Sequence, residues 1–121
     1  MSQHRLADYL DHIHRAATDA CSFVEGVCKE DFLEDKRTQQ AVIMSLVIMG
    51  EAVTKLMDGH AAFVEKHTQV PWRSMRAMRN RMAHGYFEIN LDVVWETVQT
   101  ALPALLVQLP SVKEDVGSAD S

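Results

Sequence analysis

Apolar residues recur along most of this 121-residue chain at alternating intervals of three and four, a spacing that only α-helices use. From Leu6 the positions Leu6, Leu10, Ile13, Ala17, Ala20, Val24 and Val27 draw one stripe down a long amphipathic helix, with Gly26 near its end. A second helix is read from about Asp35 to Met57. Its stripe Val42, Leu46, Met49, Val53 and Leu56 is flanked by Ile43, Val47 and Met57, so two adjacent faces are apolar and the helix is expected at the centre, closed by Asp58-Gly59. A third stripe, Leu91, Val94, Val98, Leu102, Leu105 and Leu109, follows a capping Asn90; Pro103 is expected to kink that helix and Pro110 to stop it.

Shorter elements fill the gaps. The charged patch Lys29 to Arg37, with Phe32 and Leu33, reads as a turn or one-turn helix, and residues 60 to 69 as a short helix. Pro71 opens a further helix in which Trp72, Met75, Met78 and Met82 share one face and Arg73, Arg76 and Asn80 another, with Gly85 just past its end. No run alternates with period two. The expected fold is therefore all-α, an antiparallel bundle of four to five main helices over residues 1–110, with the polar segment 111–121 as a disordered tail.

The length suits one domain with an ordinary core. The longest nearly apolar stretch, Ala41 to Gly50, is about half of the ~20 residues a membrane span needs. With Asp8 and Asp11 so early the start lacks the shape of a signal peptide, and a cytoplasmic protein without a membrane partner is expected. Cys21 and Cys28 lie seven apart in helical sequence, roughly 10 Å along an axis, too far for a disulfide within one helix. The net charge of −5 argues against general coating of nucleic acid, but it hides an asymmetry: residues 72–86 hold Arg73, Arg76, Arg79 and Arg81 and no acid, so that segment is +4 and the remainder −9. Arginine forks suit phosphate, although four arginines on a helix also suit a solvated face.

The same segment contains the chemistry. Arg79-Asn80-Arg81-Met82-Ala83-His84-Gly85-Tyr86 gathers a fixed cation, a side-chain amide, an imidazole and a phenol. RNA cleavage without a metal needs a base for the 2′-hydroxyl proton, an acid for the leaving 5′-oxygen, and positive charge on the phosphate. Histidine fills either proton role and arginine supplies the charge. On an ideal helix Arg79 and His84 point about 140° apart. Either the helix stops near Ala83 or His84, or the site is assembled from two copies across a two-fold axis, each supplying one histidine. Asn80 could position the phosphate or His84. Arg79 lies at the border between the methionine and basic faces and calls for an acidic partner; Glu51, the only charge between Ala41 and Thr54, is the candidate. His12 and His14 face different ways on one helix, and neither a metal nor another cofactor is expected.

The run from Met78-Arg79-Asn80 to His84-Gly85-Tyr86 resembles the R-x4-H-x-Y motif of the HEPN superfamily, specifically the HepT-type toxins of toxin–antitoxin pairs. Arg5-Leu6, Ile48-Met49-Gly50-Glu51-Ala52, Val70-Pro71-Trp72 and Val94-Trp95 agree with that family in order, so the resemblance spans roughly residues 4 to 109. It implies a two-fold homodimer acting as a metal-independent endoribonuclease on RNA, tRNA or mRNA among the substrates. Carried over, Arg79 and His84 would be catalytic with Asn80 supporting them; the reading of the residues themselves adds Glu51 as a support and Arg73, Arg76 and Arg81 as candidates to contact the RNA. It also implies a partner, the MntA-type nucleotidyltransferase antitoxin, which would silence the toxin by placing AMP on Tyr86. The competing reading is a non-catalytic helical module that binds a nucleotide or the nucleotidyltransferase, consistent with the acidic body and the small basic patch.

Overall fold

The three apolar stripes become the three long helices of the computed structural model, which describes residues 2–120. The elements run α1 (Ser2–Phe23), α2 (Lys29–Glu34), α3 (Lys36–Gly59), α4 (Ala61–Lys66), α5 (Trp72–His84), a 3₁₀ turn (Tyr86–Glu88), α6 (Leu91–Glu96), a π-helical turn (Thr97–Ala101) and α7 (Leu102–Asp120). No strand occurs among the described residues.

Helix α3 is the centre because its two apolar faces have two neighbours, α1 on one side and α5 on the other. Val42, Leu46, Met49, Val53 and Leu56 are all buried. By length and composition α3 would suffice to cross a membrane, but half of its most apolar window is buried inside the protein. Its start is set by Asp35, whose carboxylate accepts from the Thr38 backbone N–H at 3.2 Å and from the Thr38 hydroxyl at 2.6 Å. Neighbours run antiparallel. Tyr86, Arg79 and Arg76 meet Gln40, Thr54 and Asp58 in reverse order along α3, and Cys21 and Asp11 meet Val98 and Lys113 in reverse order along α1. The two cysteines are free, and burial pushes the Cys21 thiol up from its ordinary range.

Helix α1 stops at Phe23, short of its stripe, because the chain turns at Gly26, whose φ of +76° suits glycine; Val24 stays buried and Val27 packs against the core from the turn.

The C-terminal expectations require correction. The backbone widens into the π turn just ahead of Pro103, where the proline ring would otherwise press on the Gln99 carbonyl. Pro110, however, does not stop the helix. It lies inside α7, and the segment expected to be a disordered tail from Ser111 onward is helical through Asp120. Proline inside a helix costs about 3 kcal/mol, whereas burying a valine contributes about 1.5–3 kcal/mol. Val112 and Val116 are both buried, so their burial together exceeds the cost of the proline.

Two polar ties reinforce the extension: Asp115 Oδ2 lies 3.1 Å from Nε2 of the buried His67, and Lys113 Nζ lies 2.9 Å from Asp11 Oδ1. The hydrogen bond from Lys113 holds the Asp11 carboxyl below the usual carboxylate range. That tie is therefore complete above the ordinary carboxylate pKa and is lost as acid protonates Asp11 below it. Ending the chain after Pro110 should lower stability by about 2–4 kcal/mol, read as a lower thermal midpoint. An unchanged midpoint would mean that residues 111–120 add nothing to the core.

Candidate active site

Helix α5 is anchored at its start by Trp72, whose indole N–H donates to the His67 carbonyl at 2.9 Å, and along its length by buried Met75 and Met82 against α3. Its end is marked by Gly85, whose N–H donates to the Arg81 carbonyl at 2.7 Å. Gly85 is not left-handed, with φ at −124°. Its value there is size, since an added Cβ would sit 3.0 Å from the Arg81 oxygen. The helix ends only after including His84, so the offset between Arg79 and His84 persists within one chain. The stop at His84 is one that the sequence allowed, but it comes too late to turn His84 toward Arg79.

Arg79 points toward α3 and is held there. Its Nε lies 3.0 Å from Glu51 Oε2, an ion pair whose N–H is not aligned as a hydrogen bond, so the expected partner is present. Nη2 donates to Thr54 Oγ1 at 3.2 Å and Nη1 to Asn80 Oδ1 at 2.8 Å. Thr54 in turn donates to the Gly50 carbonyl at 2.8 Å. Gly50 permits the whole arrangement: a Cβ there would fall 2.2 Å from Arg79 Cβ and 2.8 Å from Cγ. A cation with this many partners is held in one orientation.

His84 looks the other way. It lines a cleft of about 620 Å³ bounded by the end of α5, the 3₁₀ turn and the start of α6. Asn80 and Arg81 line the same cleft, while Arg79 and Tyr86 do not. Asn80 is thus the link between the two sides, accepting from Arg79 with its carbonyl oxygen and bordering the cleft. Tyr86 turns back to the N-terminal part of α3, where its hydroxyl accepts from Gln40 Nε2 at 3.2 Å, and its ring is half exposed. The other arginines disperse. Arg76 lies 3.4 Å from Asp58, and Arg73 borders a second cleft with Val64, Pro71 and Trp72. Only Arg81 shares the cleft of His84.

Gln40, Gly50 and Thr54 are the positions that sequence reasoning did not assign. Gly50 carried a signal: glycine inside a helix costs about 1 kcal/mol relative to alanine, so its place in the apolar middle of α3 implies a close neighbour. Glu51→Gln should leave stability within about 1 kcal/mol, because the Glu51 side chain is 54% exposed, while loosening Arg79. The expected readout is a lower cleavage rate with an unchanged thermal midpoint.

Fold and site together define a helical protein with a fixed arginine and an exposed histidine on opposite flanks of one helix end. The family model described as Ribonuclease HepT-like matches residues 13–112. The chain is 41% identical over 98 residues to the "Probable ribonuclease HepT" of Thermococcus cleftensis, covering 81% of this chain and 86% of that one. It is 35% identical over 102 residues to "Putative RNase MJ0127" of Methanocaldococcus jannaschii, covering 84% and 82%. It is also 36% identical over 104 residues to "Putative RNase TTE0752" of Caldanaerobacter subterraneus subsp. tengcongensis, covering 86% and 90%. No solved structure matches. The chain belongs to the HepT-like ribonuclease family, within the HEPN superfamily.

Proposed function

We propose that this protein is a metal-independent endoribonuclease whose site is completed by a second copy of the chain. The observation that carries this reading is the split just described: Arg79 is immobilised on the α3 flank, and His84 stands exposed at the cleft. One chain offers a charge and a proton carrier that face apart; a two-fold pair offers two of each. The flank between Tyr86 and Arg79 favours such a partner, because Met44, Ile48, Tyr86 and Phe87 are all exposed there, with Phe87 fully so.

In the assembled cleft one His84 takes the 2′-hydroxyl proton as that oxygen attacks phosphorus. The other gives a proton to the departing 5′-oxygen, leaving a 2′,3′-cyclic phosphate and a 5′-hydroxyl end. The two Arg79 guanidiniums neutralise the charge gathered on the phosphate. Purified protein should cut RNA in EDTA. Equal activity in wild type, His84→Ala and Arg79→Ala would sink the proposal.

The protein acts, on this reading, as the toxin of a toxin–antitoxin pair in the cytoplasm. A nucleotidyltransferase partner would transfer AMP from ATP to the Tyr86 hydroxyl, with loss of the phenolic proton and release of pyrophosphate. The half-exposed ring supports access, and release from Gln40 is all the modification requires locally. An adenylate on Tyr86 would bring negative charge to the α3 flank that also holds Arg79 and oppose RNA there. ATP-dependent mass gain with the partner enzyme, absent in Tyr86→Phe, tests this. A gain that persists in Tyr86→Phe would place the modification elsewhere.

A further inference from the structure

The cleft beside His84 has walls that the cleavage chemistry does not use. Met78, Met82, Ile89, Val93 and Val94 make it largely apolar, and its volume of about 620 Å³ is that of a small-ligand site. Its polar groups are few and of mixed sign. Arg81 is cationic, Glu88 is anionic, and Asn80 and Asn90 bring amides. Both amide oxygens are already engaged, that of Asn80 by Arg79 and that of Asn90 by the N–H groups of Asp92 and Val93 at 2.9 and 3.3 Å. What the two amides offer a ligand is therefore N–H donors.

Arg81 and Glu88 offset one another at the rim, so beyond the phosphate that His84 would serve the apolar walls hold no surplus cation for a second anion. A flat, neutral ring with acceptors and donors on its edge fits both the walls and the rim. We propose that the cleft is a nucleobase subsite that takes one unpaired base of the RNA strand next to the bond being cut, with guanine preferred. Guanine presents two adjacent N–H donors, N1–H and the N2 amino group, to a single carboxylate, and its O6 and N7 accept from amide N–H groups. The apolar side chains lining the cleft would bury the faces of the ring, a hydrophobic contact that any base would gain. The subsite rests on RNA being the ligand of the His84 cleft, and it adds base selection to that reading.

Binding can be measured without cleavage. The intact protein is titrated by NMR with the 3′-monophosphates of guanosine, adenosine, cytidine and uridine, while cleavage positions are mapped on an RNA containing every base. The expected result is shifts at the Met78, Val93 and Val94 methyl groups, at least tenfold tighter for guanosine than for uridine, and cleavage beside guanine. Val93→Trp, at an exposed position where folding is not at risk, should fill the cleft and abolish those shifts; Glu88→Gln should erase the guanosine preference while leaving the fold intact. Absent shifts, shifts that survive Val93→Trp, or a preference that survives Glu88→Gln would overturn the subsite. RNA cleavage with any of those results would leave the ribonuclease standing without its base pocket. Shifts and preference without cleavage would keep the pocket and sink the ribonuclease.

Discussion

His84→Ala is expected to lower the rate of RNA cleavage by about 10²–10⁴-fold, the range in which a positioned proton carrier contributes. The structure makes this a clean experiment. The His84 side chain is exposed at the last residue of α5, so its loss opens no cavity and the fold should be unaffected. Arg79→Ala should cost a similar factor, about 10²–10³, through loss of charge beside the phosphate. That variant also strips Glu51, Thr54 and Asn80 of their common partner, so some loss of stability should accompany it. Arg79→Lys separates the two effects. It keeps a cation but cannot reach Glu51, Thr54 and Asn80 together, so it should rescue folding more than rate. Full activity in Arg79→Lys would mean that charge alone matters and that the fork geometry does not.

Gly50→Val should be the most damaging substitution outside the reactive groups. An added Cβ would overlap Arg79 Cβ and Cγ, and it would also stand 3.2 Å from the Met75 carbonyl, so the obstruction includes backbone. Helices α3 and α5 must then move apart. Overpacking of this kind costs about 1–3 kcal/mol, and the displacement carries Arg79 away from its place over α3. The expected result is a lower thermal midpoint together with a loss of cleavage larger than the loss of folded protein. Gly50→Ala meets the same first atom and should show a milder form of both. A Gly50→Val protein with wild-type stability would contradict the close approach of the two helices.

Legibility in the sequence followed the strength of the local pattern. The stripes of α1, α3 and the last helix were readable because each buries one continuous face, and Glu51 was readable as the partner of Arg79 because no other charge lies on that part of α3. The C-terminal segment was misread for a physical reason. Residues 111–121 look polar in composition, yet Val112 and Val116 keep the helical spacing from Leu109, and proline at position 110 is outweighed by their burial. The roles of Gly50 and Thr54 were hidden because they depend on how near α5 comes to α3, which only the packed helices determine. The cleft beside His84 was hidden likewise, since it joins Met78 and Met82 of α5 to Ile89, Val93 and Val94 beyond the turn.

The offset of Arg79 from His84 could be computed from helical geometry alone, and it survived into the fold because α5 includes His84. On the proposed reading each chain holds half of a site. The direct test is specific cleavage activity measured across a dilution series in EDTA, with molar mass by light scattering on the same samples. The two-chain account predicts that activity per chain falls in parallel with the dimer fraction. A monomer that retains full activity would contradict it.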